Sequence, residues 1–339
     1  MRVFLSTVAR GAPVEQGGEL LSLDWEKKEV LKRVPIFPSN PAVYDPHSRG
    51  SARGGRGIAL LPGELFVATY HSLLGFDYDL NPTRTITNHH FAGLHEIRAV
   101  EDGIWVSATA LGAVHKIDLD GKLVQSWWAH EDPLIQQRFD ATPLVVDKQQ
   151  DNRLAYLKDF SKIHLNNVEV CDGKVYVTLN NHGAIIRLFP TEVVACDPAL
   201  KGCHNGLVTP RGELLVNDSH HHTVVVFNLH KGEVIRRIDL GEFPEVTKIK
   251  NAPREYKNIS WRIRLQNWIK RKRVARPLFT RGMCRLQDSR VLIGISPATV
   301  LEIDYKTGKL IDYFQLSGKV NECVHGLEAS PSADFPFSI

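Results

Sequence analysis

The sequence has no run of about eighteen consecutive apolar residues, so a membrane-spanning helix is not expected. Cysteine is scarce. There are five, an odd number with no C-x-x-C spacing: Cys171, Cys196, Cys203, Cys284 and Cys323. That excludes a zinc ribbon, a thioredoxin-type redox motif and a disulfide framework. The expectation is of mostly buried thiols, with Cys196 and Cys203 alone close enough in sequence to pair. The segment Met1–Ala9 has one Arg and only a short apolar stretch before Arg10, Gly11 and Pro13, less than a secretory signal needs. The chain therefore reads as cytoplasmic. Acid is nearly missing from one segment: between Lys248 and Arg281 there are twelve Lys or Arg and only Glu255. That local charge of +11, in a chain of net +4, leaves the remainder near −7. The basicity is one patch, and no nucleic-acid partner is expected. A hydrophobic content of 43% excludes wholesale disorder.

What is present is a repeat. A polar residue, usually followed by Gly, precedes an apolar strand; a tight turn, a second strand, a polar turn and a third strand follow. The copies start at Arg56-Gly57-Ile58, His95-Glu96-Ile97, Asn166-Asn167-Val168, Asn205-Gly206-Leu207, Arg281-Gly282-Met283 and His325-Gly326-Leu327. Their second strands read ELFVATY, IWVSATA, KVYVTLN, ELLVNDS and RVLIGIS, rich in β-branched and aromatic residues. The sixth copy ends soon after Ala329. RVFLSTVA, GELLSLDW and EVLKRVP at the N-terminus supply its missing strands. Sharing one unit between the two ends closes a ring and removes exposed sheet edges. The prediction is an all-β, six-bladed β-propeller of four-stranded antiparallel blades, one domain over 1–339. Copy spacings of 39, 71, 39, 76 and 44 residues place insertions at about 125–160 and 243–278, with a third long connection at about 35–55. All three should crowd one mouth of the channel.

The first residue of each inner strand should face the axis at that mouth: Arg56, His95, Asn166, Asn205, Arg281 and His325. Six polar residues there are costly without partners or a ligand. Arg56 and Arg281 suit a carboxylate, phosphate or sulfate. Glu96 is the one acid near the ring positions, and Tyr70 belongs to a turn on the same face. We therefore expect substrate binding by Arg56, Arg281, Asn166, Asn205, Glu96 and Tyr70, with His325 and His95 as acid–base groups. A small anionic or polar organic molecule is the expected partner, and hydrolase, lyase and group-transfer chemistry all remain open. His95, His164, His204 and His325 are the candidate ligands for a divalent transition metal, Fe, Zn or Cu. Set against the enzyme reading is a non-catalytic scaffold that binds a protein partner through its basic insertion, the ring being a water-filled polar channel.

The blade CHNGLVTPRGELLVNDSHHHTVVVFNL resembles the Asn-Gly-Leu blade of the regucalcin/gluconolactonase family of six-bladed propellers. It is also similar to strictosidine synthase-like and NHL-repeat propellers. The resemblance implies a divalent metal on Asn205, with Asn166-Asn167 matching the Asn-Asp segment of a neighbouring blade. Arg281-Gly282-Met283 stands where that family has Asp-Gly-Met, whose Asp is a metal ligand and general base. Here a cation replaces it and would repel a divalent ion.

In the basic insertion, Trp261, Leu265, Trp268 and Ile269 fall at i, i+4, i+7 and i+8, which predicts an amphipathic helix over 260–274. Its simplest reading is a lid packed on the propeller with its basic face in water. Docking of 250–276 to an acidic protein or carrier protein, or to a membrane surface, is the alternative.

Overall fold

The computed structural model describes residues 1–37, 54–139, 145–153, 163–259, 261–269 and 274–330. They form six four-stranded antiparallel sheets. The inner strands of blades one to five are Ile58–Leu61, Leu94–Val100, Leu165–Cys171, Cys203–Val208 and Arg281–Arg285. Blade six is the shared one: its inner strand Glu322–Ala329 pairs with Arg2–Ala9, followed by Glu19–Asp24 and Glu29–Pro35. Consecutive inner strands touch around a closed circle, so the predicted propeller is the observed fold.

The core is divided to match. Six apolar clusters each fill the space between two neighbouring blades. Phe4, Leu20 and Ile36 of blade six pack on Ile58, Leu65 and Val67 of blade one. Leu5, Leu21 and Val324 of blade six pack on Leu292 and Val300 of blade five. Such clusters stabilise by about 25 cal/mol per Å² of apolar surface removed from water. Because every blade is covered on both faces, the middle strands read as nearly continuous apolar runs. The outermost strands alternate instead, as Glu29–Pro35 and Lys309–Gln315 do.

Glycine follows four of the ring residues, and at two of them the reason is steric. A Cβ on Gly326 would lie 2.0 Å from the Arg56 carbonyl oxygen, and one on Gly57 would lie 2.7 Å from the Ile97 nitrogen. At both, a side chain would run into backbone of the neighbouring inner strand, and only a hydrogen fits.

The described parts of the insertions lie on the predicted face. Helix α1 (Pro133–Phe139) brings Phe139 within 5.0 Å of His182 in a turn of that face. Helix α2 spans Pro244–Asn251 and α3 spans Trp261–Ile269. Ile263, Ile259 and Val274 close over Gly11, at the same mouth. Most of the connection at 35–55, and the outer turns of the helix predicted over 260–274, lie outside the described residues. All five cysteines are free, Cys196 exposed and Cys203 buried among them. No described helix is long and apolar enough to cross a membrane.

Candidate functional site at the channel mouth

In five of the six blades the inner strand is irregular where the ring residues stand. The pairing of the second blade skips from Leu94 to Ile97, that of the third from Leu165 to Asn167, and that of the fourth from Cys203 to Gly206. The fifth skips Gly282, and the sixth skips His325 opposite Ser6 and Thr7. A bulge turns its extra residue out of the pleat. Here the extra residues include His95, Glu96, Asn166, His204, Asn205 and His325, which is how neighbours in sequence, His95 with Glu96 and His204 with Asn205, come to share the channel.

At the centre is Arg281, 9% exposed. Its Nη1 lies 2.5 Å from Nε2 of His95 and 3.1 Å from Nε2 of His325. The contact to His95 spans the channel, from blade five to blade two. A guanidinium only donates, so both Nε2 atoms accept, and both rings are neutral with their proton on Nδ1. Those Nδ1 atoms face Glu96 Oε1 at 3.5 and 3.9 Å. The two imidazoles sit 4.7 Å apart, centroid to centroid. Burial first, then neighbouring cationic and imidazole groups, holds both His95 and His325 well below the usual histidine range. Burial pushes the Glu96 carboxyl up to about 8, against the pull of Arg98, Asn205 and Arg281. Glu96 is therefore largely protonated at neutral pH. Burial, then Arg10 and Arg56, works against the charge on Arg281 itself. Among the described residues no carboxylate pairs with Arg281, so a buried cation stands without a counter-ion.

Three residues that sequence reasoning missed complete the mouth. The Phe279 ring lies 4.0 Å from the Arg10 guanidinium, 4.7 Å from that of Arg281 and 5.7 Å from that of Arg276. Arg56 donates to the Leu94 carbonyl at 2.6 Å and lies over the Tyr70 ring. His164 is half-buried, and burial, then Arg281 and Arg56, lowers it to about 4. His204 donates from Nδ1 to the Gly202 carbonyl at 3.0 Å, and its Nδ1 is 2.8 Å from Ser219 Oγ. Its Nε2 is left as an acceptor.

Asn166 and Asn205 are engaged between blades. Asn166 Nδ2 donates to the Cys203 carbonyl at 3.2 Å, leaving its Oδ1 buried with no partner. Asn205 Oδ1 accepts from the Gly282 N–H at 2.9 Å. Asn167 and Asn217 reach the next blade in the same way, at Gly206 and Gly282.

Comparison with family models and with curated proteins finds no match. Solved structures share the architecture. A protein of unknown function from Bacteroides caccae superposes with a TM-score of 0.58 at 11% identity, over 96% of this chain and 97% of that one. A nidogen/laminin complex gives 0.55 at 13%, over 96% and 97%. Virginiamycin B lyase from Staphylococcus aureus gives 0.51 at 9%, over 96% and 100%. At these identities the likeness is one of fold.

The metal expectation can be tested on the donor atoms. Among the described residues, His95, Glu96 and His325 offer ligand atoms within 4.8 Å of one another; His164 and His204 are not in that group. Two imidazoles and a carboxylate suit Fe or Zn. The tautomer opposes it. With Arg281 donating to both Nε2 atoms, the protons occupy the Nδ1 positions that would have to bind the ion, and a guanidinium adds repulsion. While Arg281 holds this position the residues do not fit a metal. The ligand set that the resemblance implies does not fit either, since Asn205 Oδ1 is held by Gly282 and Arg281 replaces the acid.

Deeper in the channel Arg98 bridges Glu169 and Glu328, at 2.6 Å each. Beyond them, at the opposite mouth, opens a cavity of about 820 Å³ lined by Trp25, Leu61, Arg84, Arg98, Arg290 and Glu328 among others. Here the charges are largely matched: Arg84 pairs with Glu64 and Arg290 with Glu302. The unmatched charge is at the other end, and that end is the stronger candidate for chemistry.

Proposed function

We propose that this chain is an enzyme that takes a small anionic or polar organic substrate at the insertion-bearing mouth of the channel. Arg281, with Arg56 beside it, binds the anionic group, and His325 and His95 act as bases. The observation that carries the reading is the buried Arg281 fork, bonded to two neutral imidazoles and, among the described residues, to no carboxylate. A substrate carboxylate, phosphate or sulfate would supply the missing charge. In accepting from Nη1 it would draw that donor off His95 and His325 and free their Nε2 lone pairs beside the bound substrate. A neutral imidazole next to an anchored anion can take a proton from carbon, from water or from a hydroxyl, so elimination, hydrolysis and group transfer are all served. Glu96 Oε1 faces both Nδ1 atoms, at 3.5 and 3.9 Å. Tyr70 and the free Oδ1 of Asn166 line the site, and Asn205 fixes the wall through Gly282. His164 and His204 add neutral acceptors on the far side. The free thiols accord with a reducing, cytoplasmic setting.

The test is calorimetric titration with small carboxylates and phosphate esters against wild type, Arg281→Gln and Arg281→Lys. Binding should weaken by tenfold or more in Arg281→Gln, roughly what a charge-assisted contact contributes, and recover partly in Arg281→Lys. Equal anion affinity in all three proteins would sink the reading.

A further inference from the structure

Helix α3 turns its apolar stripe to water, not to the propeller. Trp261, Leu265, Trp268 and Ile269 are 69%, 46%, 77% and 65% exposed. The inward side is carried by Ile263, seated over Gly11, and by Asn267, whose amide donates to the Ile263 carbonyl. Scattered exposed apolar residues are ordinary; four large ones on one face of a nine-residue helix are not.

Exposed cations of the same insertion are also uncommitted. Lys248, Lys250, Arg254 and Arg264 are exposed, and none has an ion-pair partner among the described residues. Glu255, the one acid of the segment, is occupied by Lys319. The sequence adds Lys270, Arg271, Lys272 and Arg273, outside the described residues. A second copy of this chain would set like charge against like. An apolar face with two Trp, carrying Arg264 on the same helix and unpaired Lys and Arg elsewhere in the insertion, matches instead a surface that is anionic above and hydrocarbon below.

We infer that α3 docks this protein on an anionic lipid bilayer, with the Trp261, Leu265, Trp268 and Ile269 stripe in the acyl boundary and the exposed cations of the insertion on headgroups. Because α3 closes over Gly11, next to Arg10, docking turns the channel mouth toward the bilayer. The inference does not depend on the channel being catalytic.

The experiment is co-sedimentation of the full chain with vesicles of phosphatidylcholine alone and of equal parts phosphatidylcholine and phosphatidylglycerol, with tryptophan emission recorded. Wild type should bind the anionic vesicles with a blue shift and ignore the neutral ones. Replacing Lys248, Lys250, Arg254 and Arg264 by Ser should weaken binding by roughly two to three orders of magnitude. Trp268→Ser with Ile269→Ser should weaken it about tenfold and reduce the blue shift by about half, Trp261 remaining in the stripe. All these side chains are exposed, so the variants should fold, which circular dichroism checks. No binding to anionic vesicles, or binding unchanged by the Trp268 and Ile269 pair, overturns the inference. Binding to polyglutamate with none to vesicles overturns it too, in favour of an acidic protein partner.

Discussion

Replacing Glu96 by Gln tests the premise that Arg281 lacks a counter-ion. Glu96 titrates at about 8 in the folded protein, against an ordinary 4.5. A carboxyl raised on folding binds more protons folded than unfolded between those values. Its contribution to stability is thus fully present below the unfolded value and is lost as pH rises towards 8. Over about 3.5 pH units at 1.36 kcal/mol each, the loss is about 5 kcal/mol. Gln is neutral throughout and close in shape, so Glu96→Gln should match wild type near pH 5 and exceed it by up to that amount near pH 9. With an unfolding entropy of about 2.1 cal/mol/K per residue over this chain, the difference corresponds to a Tm gain of about 7 °C. Thermal unfolding of both proteins across that range decides the matter. A difference that stays flat with pH would mean Glu96 is already ionised. Arg281 would then have its counter-ion inside the protein, and the case for a bound anion would fail.

Three further outcomes follow from the same geometry. Arg98→Leu strands Glu169 and Glu328 and should cost about 3–5 kcal/mol in urea unfolding near pH 8. The cost should shrink near pH 5, because burial already raises Glu169 to about 7 and protonation removes the stranded charge; a pH-independent cost would refute this. Gly326→Ala should unfold or misfold the protein, its Cβ meeting the Arg56 carbonyl. Gly63→Ala, with open space around it, should cost only about 1 kcal/mol for its positive φ. Arg281→Ala should let His95 and His325 move their protons to Nε2 and gain zinc affinity with Glu96, seen by calorimetry, whereas wild type should bind zinc far more weakly. Equal affinity would show that Arg281 does not set the tautomer.

The ring was legible because each inner strand begins after a turn and four of the ring residues are followed by Gly, a pattern that survives in one dimension. The chemistry around it was less so. Arg10 and Phe279 enter from a hairpin turn and from an inter-blade link, where no periodicity marks a residue as axial. The bulges that bring Glu96 beside His95, and Asn205 beside His204, are register shifts, invisible until the partner strand is known. Periodicity found the apolar stripe of α3 yet not its direction, since a helix that buries four large side chains and one that presents them have the same spacing.

The same residue types serve two ends at the ring, and charge separates them. Asn167, Asn217 and Asn205 each bond backbone of the next blade, and any amide of that reach would hold the circle shut. Arg281 has no such excuse. A latch between blades needs a donor but not a buried cation, and a neutral donor in its place would spare the ring the desolvation of a guanidinium and the share that its charge, after burial, has in holding three imidazoles low. That a cation is nevertheless held there, facing neutral bases and a protonated acid, is what a site for an external anion requires and a purely structural ring does not.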